Sequence, residues 1–171
     1  MDMSEVTKLE GSAVDGAEAS RAVGTRREYV TAWLNGAEFG FESARVRQIR
    51  RFDGPSRDDA AAGFVIGRIG SAPGPGIPVV DLRLEQGPAP VTYSDTMLVV
   101  VVASSQGNVG VVVDSISDLV DLEFPPDQTF TADGCITASS RKIAHGPDGR
   151  SGHCAVHVLD INQIMSCAAG L

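Results

Sequence analysis

Apolar positions along this chain fall in short runs broken by glycine, proline and acidic residues, the spacing of many strands rather than of long helices. The first clear run is Tyr29–Leu34, followed by Asn35-Gly36 and a stretch in which Phe39 and Phe41 alternate. Asn-Gly between apolar runs predicts a hairpin, because a type I′ turn needs positive φ at both central residues. A helical turn over Glu42–Arg45 and a strand over Val46–Arg51 follow, then a polar loop from Asp53 to Ala61. Phe64–Ile69 and Ile77–Val80 read as strands. Between them Gly70-Ser-Ala-Pro-Gly-Pro-Gly76 resists regular structure, since proline lacks a donor and glycine is costly to order. Gly87–Pro90 is another breaker.

Two runs, Met97–Ala103 and Val109–Asp114, are apolar at nearly every position and flank Ser104-Ser-Gln-Gly-Asn108. Continuous apolar runs of this length fit strands covered on both faces. Ile116–Leu122 continues as strand until Pro125-Pro126, and Cys135–Ala138, Arg141–Ala144 and Cys154–Leu159 are weaker strands. Asp160-Ile-Asn-Gln163 predicts a helix start, with Asp160 capping an amide and Gln163 reaching back, and Ile161, Ile164 and Met165 forming one stripe. Residues 1–27 carry scattered charges and no aromatic, and a flexible tail is expected there.

The two halves echo each other. Gly36 and Gly107 lie in corresponding loops (107 − 36 = 71), and Asp81 and Asp160 each stop an apolar strand (160 − 81 = 79). Two offsets near 75 predict a duplicated β unit, and units of this size usually curl into small barrels that gain by packing together.

Composition narrows the function. The chain has 171 residues, 43% hydrophobic, with Lys+Arg 14 against Asp+Glu 22 and a formal net charge of −8. That balance argues against nucleic acid and against a polybasic membrane surface. Three cysteines at loose spacing (Cys135, Cys154, Cys167) give no disulfide framework, and a reducing cytoplasm is the expected compartment. No signal peptide is expected from the N-terminus, and Met97–Ala103 is far shorter than the roughly 20 residues of a membrane helix.

Candidate chemistry is thin. No phosphate-cradling Gly-x-x-x-x-Gly-Lys motif and no Gly-x-Ser-x-Gly elbow is present. His153, Cys154 and His157 carry metal-capable atoms, but a tetrahedral site would need further ligands such as Cys135 or His145. Asp81, Asp114 and Asp160 read either as acid–base carboxylates or as turn caps, where Asp is common. Trp33 reads as core, or alternatively as an exposed binding anchor. Arg45, Arg47, Arg50 and Arg51 cluster in the run 45–51 of an acidic protein, either as a solvated strand face or as a patch for an acidic partner. With no catalytic constellation, the chain reads as a non-enzymatic binding or scaffold module.

The order of segments resembles the CheW family, the adaptors of bacterial chemosensory arrays. The resemblance is carried by Tyr29-Val-Thr-Ala-Trp-Leu-Asn-Gly36, Phe39-Gly-Phe-Glu-Ser-Ala-Arg-Val-Arg-Gln-Ile-Arg50, Ile77-Pro-Val-Val-Asp-Leu-Arg83, Gly110-Val-Val-Val-Asp-Ser-Ile-Ser-Asp118 and Leu159-Asp-Ile-Asn-Gln-Ile164. It implies an all-β fold of two interlocked five-stranded SH3-like barrels on a shared core over 28–166, with a short C-terminal helix and tails at 1–27 and 167–171. It implies an adaptor that couples the cytoplasmic tip of a methyl-accepting chemoreceptor to the regulatory domain of a CheA-type histidine kinase, without catalysis, cofactor, metal, nucleic acid or membrane insertion. It further implies a cytoplasmic protein clustered at receptor arrays. The family's receptor groove maps onto Val46, Gln48, Gly67, Ile116 and Ser117, and the basic patch Arg45, Arg47, Arg50 and Arg51 lies beside it. Gln48 stands where the family has Glu, and the glycine-proline stretch 70–76 stands where it has Asn-Leu-Arg-Gly. Those departures leave one alternative, an adaptor of a non-chemotactic pathway (surface motility, development or second-messenger control) binding one usual partner; His153, Cys154 and His157 leave another, a small metal- or ligand-binding barrel.

Overall fold

The computed structural model of the chain describes residues 25–55, 63–70, 74–85, 90–124, 136–145 and 151–169. The expected tail up to residue 24, most of the polar loop after Asp53, the Pro125-Pro126 stop and Cys135 lie outside the described residues. The strands are β1 (Thr25–Leu34), β2 (Ala37–Glu42), β3 (Val46–Arg51), β4 (Val65–Ile69), β5 (Ile77–Val80), β6 (Leu98–Ser104), β7 (Gly107–Val113), β8 (Ser115–Phe124), β9 (Ile136–His145) and β10 (Ser151–Leu159). A helix, α1 (Ile161–Ala169), follows β10, and 3₁₀ turns sit at Ser43–Arg45 and Leu82–Leu84.

The strands form two five-stranded sheets, ordered β8-β1-β2-β10-β9 and β3-β6-β7-β5-β4. Each half of the chain supplies a hairpin, a crossover strand and an antiparallel pair. The hairpin β1–β2 joins the first sheet and β6–β7 the second, while the crossover strands β3 and β8 pair with the other half's hairpin. The halves are therefore interlocked: each sheet takes a hairpin from one and three strands from the other.

The duplication holds at the level of register. Val46 opposes Val102 and Gln48 opposes Val101, leaving Arg47 as a bulge. Seventy residues away, Ile116 opposes Ala32 and Asp118 opposes Thr31, leaving Ser117 as a bulge (116 − 46 = 102 − 32 = 70). The parallel contacts match as well, Val79 with Gly110 and Val158 with Gly40. At both glycines neighbouring side chains fill the space a Cβ would take. A Cβ on Gly110 would lie 2.7 Å from Val99 Cγ1, and one on Gly40 would lie 3.1 Å from Val156 Cγ1.

Burial explains the uninterrupted valines. Val99–Val102, Val109 and Val111–Val113 are all buried, because one face of β6–β7 packs inside its own sheet and the other against the neighbouring sheet and α1. Fully burying a valine is worth roughly 1.5–3 kcal/mol, so this shared core dominates the fold's apolar stabilisation. Ala32, Leu34 and Phe41 join it from the first sheet, and Ile161, Ile164 and Ala168 from α1. A smaller core, Tyr29, Leu122, Phe124, Val156 and Val158, fills the inside of the first sheet, so β1 serves two cores on its two faces.

Several local expectations are met and others corrected. Asn35 and Gly36 both have positive φ, 52° and 79°, as the predicted turn requires. β1 begins at Thr25, inside the stretch read as tail, and α1 runs to Ala169, past the expected boundary at 166. β9 is one strand rather than two, since Ser139 and Ser140 keep their ladder pairing with His157 and Val156. Gln163 donates forward to Cys167 Sγ at 3.6 Å instead of reaching back, while its amide is capped by Asp160 Oδ1 at 2.9 Å. Trp33 is not core: it is 37% exposed beside the hairpin turn, and its carbonyl accepts from the Asp114 amide at 2.7 Å.

Candidate functional site

The crossover strands carry most of the candidate residues, and both are outer strands of their sheets. Val46 opens β3 and Ile116 lies near the start of β8, at corresponding positions of the two halves. Both are half-buried against the shared core. The bulges that follow, at Arg47 and Ser117, kink each outer strand and leave Arg47, Gln48 and Ser117 exposed. Further along, Ile49 is 41% exposed and Leu119 56%, again at equivalent positions.

The basic patch divides in space. Arg45 Nε pairs with Glu42 Oε2 at 3.1 Å and lines a recess with Arg27 and the start of α1. Arg50 Nη2 pairs with Asp53 Oδ2 at 3.1 Å. Arg50 and Arg51 line a cavity of about 270 Å³ between β3 and β4, together with Gly67, Arg68 and Phe52. The structure thus brings Gly67 together with Arg50 and Arg51, while Val46 and Ile116 sit at the bases of strands in different sheets. Gly67 is buried on β4 opposite Val79, just past a bulge.

A larger cavity of about 520 Å³ opens between the β4–β5 turn, the β6–β7 turn and α1, and none of the sequence-predicted residues lines it. Its wall is mainly apolar, with Ile69, Ile77, Pro78 and Met165 among its residues.

The three aspartates are structural in different degrees. Asp114 Oδ2 accepts from the Asn35 amide at 2.7 Å, tying the first hairpin turn to the β7–β8 joint. Asp160 caps α1. Asp81 is fully buried and holds Arg83 bidentately, Nε to Oδ1 at 2.9 Å and Nη2 to Oδ2 at 2.7 Å. The Arg83 guanidinium lies over the Tyr93 ring, 5.3 Å from its centroid, and Tyr93 packs on Phe52. The hydrogen bond to Asp81 raises Arg83 above its ordinary value. Burial, then the negative charge of Asp81, pushes the Tyr93 phenol up to about 12. Sequence reading gave Arg83 and Tyr93 no role; the two-residue spacing of Asp81 and Arg83 was the available signal.

Among the described residues no three His, Cys, Asp or Glu side chains converge as a metal site. Cys135 and the side chains of His145, His153 and Cys154 lie outside the described part. No helix among the described residues is long and apolar enough to cross a membrane.

Comparison with known proteins decides the family. Residues 28–168 match the CheW-like domain. The chain belongs to the CheW family. It is 30% identical over 114 residues to the chemotaxis protein CheW of Klebsiella aerogenes, covering 67% of each protein. Its fold is similar to that of the scaffolding protein TtCheW from Thermoanaerobacter tengcongensis, with a TM-score of 0.58 at 15% identity over 81% of this chain and 86% of that one. This CheW-family chain is accordingly a scaffold of chemotaxis-type signalling, and CheW proteins are adaptors rather than catalysts.

Proposed function

We propose that this CheW-family chain couples the cytoplasmic tip of a methyl-accepting chemoreceptor to the regulatory domain of a CheA-type histidine kinase, in the cytoplasm at receptor arrays, by positioning the two and without catalysis. The observation that carries the proposal is the match to the CheW-like domain over 28–168, which spans both interlocked sheets. The receptor surface is assigned to Val46, Gln48, Gly67, Ile116 and Ser117. Arg45, Arg47, Arg50 and Arg51 form the charged surface for a partner, since local positive charge on an acidic protein orients an acidic one.

A second reading follows from Gln48 and from the glycine-proline stretch 70–76, where the CheW pattern has Glu and Asn-Leu-Arg-Gly. In that reading the chain serves a non-chemotactic pathway and holds one of the two partners. Capture of a receptor-tip fragment and a kinase regulatory domain by the purified chain tests both. Binding to both supports coupling, binding to one supports the second reading, and binding to neither overturns the adaptor function. Val46→Asp is expected to weaken receptor binding by placing a charge in a half-buried apolar position, with circular dichroism confirming the fold. Unchanged receptor affinity rejects the assignment of Val46.

A further inference from the structure

The edges of the two sheets differ. In the first sheet β8 runs close to β9, whereas in the second the outer strands β3 and β4 have no sheet partner on their outer sides among the described residues. The cavity of about 270 Å³ lies between them. Arg50, Arg51 and Arg68 line it, and Asp53 is the one carboxylate among its described lining residues. Arg68 stands where this cavity meets the larger one, and its Nη1 donates to the carbonyls of Pro75 and Gly76 on the larger cavity's wall at 3.3 Å each.

We infer that this cleft receives an extended, acidic segment of a partner protein, its carboxylates against Arg50, Arg51 and Arg68 and its backbone along the outer strands β3 and β4. The inference rests on the adaptor reading and names the chemistry one partner presents. Three observations carry it. An outer strand offers unpaired backbone donors and acceptors, which an added strand satisfies. Arginines on such an edge repel basic strands, are costly for a neutral strand to desolvate, and admit acidic ones. The cavity is smaller than the roughly 300–1,000 Å³ of ordinary small-molecule sites, so it suits inserted side chains better than a nucleotide. The exposed Arg50–Asp53 pair is no obstacle, because surface ion pairs are weak and exchange readily.

The test uses the full chain and a fluorescein-labelled peptide, Thr-Glu-Val-Glu-Val-Glu-Thr, with a twin in which Gln replaces each Glu. Anisotropy is expected to show binding of the Glu peptide alone, weakening as salt rises. Arg51→Glu with Arg68→Glu is expected to weaken it at least tenfold, and Arg51→Glu alone severalfold, with thermal melts confirming the fold. The charge-matched control, Arg26→Glu with Arg27→Glu on the other sheet, is expected to change it less than threefold. No binding by the unaltered chain, equal binding of the Gln twin, or equal loss in the control overturns the cleft assignment. Capture of the receptor tip and the kinase regulatory domain is measured in parallel. Capture without peptide binding overturns the cleft alone, and capture of neither overturns the adaptor reading beneath it.

Discussion

Asp81 and Asp160 stand at the same place in the two halves, just past the strand that runs parallel to a hairpin, yet they do different work. Asp81 is sealed from solvent and grips Arg83, two residues on, through both carboxylate oxygens. Asp160 is half-buried and caps nine residues of helix that close over the shared core. The topology fixes where a strand must stop and its amides need an acceptor; the next three residues decide what is built there. Leu82-Arg83 turns one acceptor into a buried ion pair, whereas Ile161-Asn-Gln163 turns the other into a helix start.

That contrast is broken most sharply at the aspartates. Asp81→Ala is expected to cost about 3 kcal/mol, because it strands a largely buried guanidinium. Asp160→Ala should cost about 1 kcal/mol, the loss of one cap. Urea unfolding of both variants checks this; equal costs would mean the two positions are energetically alike. The paired glycines come next. Gly110→Ala, with its tighter contact on Val99, is expected to lose about 2 kcal/mol through overpacking, and Gly40→Ala about 1 kcal/mol. A reversed order in thermal melts would show that the second sheet yields more easily than the first.

A further effect depends on pH and reads out Tyr93, in the segment before β6. Tyr93 is pushed up to about 12 in the folded chain, against about 10 for an unfolded tyrosine. Between those values the unfolded chain releases the proton that the folded chain retains, so this contribution is full below pH 10 and disappears as pH rises through 12. Tyr93→Phe should flatten part of the alkaline fall in stability, followed by urea midpoints from pH 9 to 12. Burial raises Tyr29 in the first sheet as well, so a residual slope should remain in that variant. The smallest effect is at the surface: Arg26→Ala removes an exposed pair with Asp121 and should cost about 0.5 kcal/mol, measurable by the same unfolding method.

Local signals were readable in the sequence. Asn35-Gly36 announced its turn through backbone chemistry, the unbroken valines announced strands covered on both sides, and the repeated Asp after an apolar strand exposed the duplication. What pattern could not show was the exchange of crossover strands, because β3 and β8 look alike whichever hairpin they join. β9 was split because its serines carry no apolar period, although its backbone ladder needs none. Trp33 was read inward because it is large and apolar, yet it stands at the turn end of β1, beyond buried Tyr29 and Thr31 on the same face and outside the smaller core that covers Tyr29. At the site, the four arginines looked like one patch because they fall within the short run 45–51. Folding sends Arg45 toward Glu42 and gathers Arg50 and Arg51 with Arg68, a neighbour that sequence distance concealed.

The claim that one scaffold holds two partners is tested most directly by sedimentation velocity of the chain mixed with a receptor-tip fragment and a kinase regulatory domain. The account predicts one faster boundary containing all three components. Two binary complexes that exclude each other, or no complex with either partner, would contradict it.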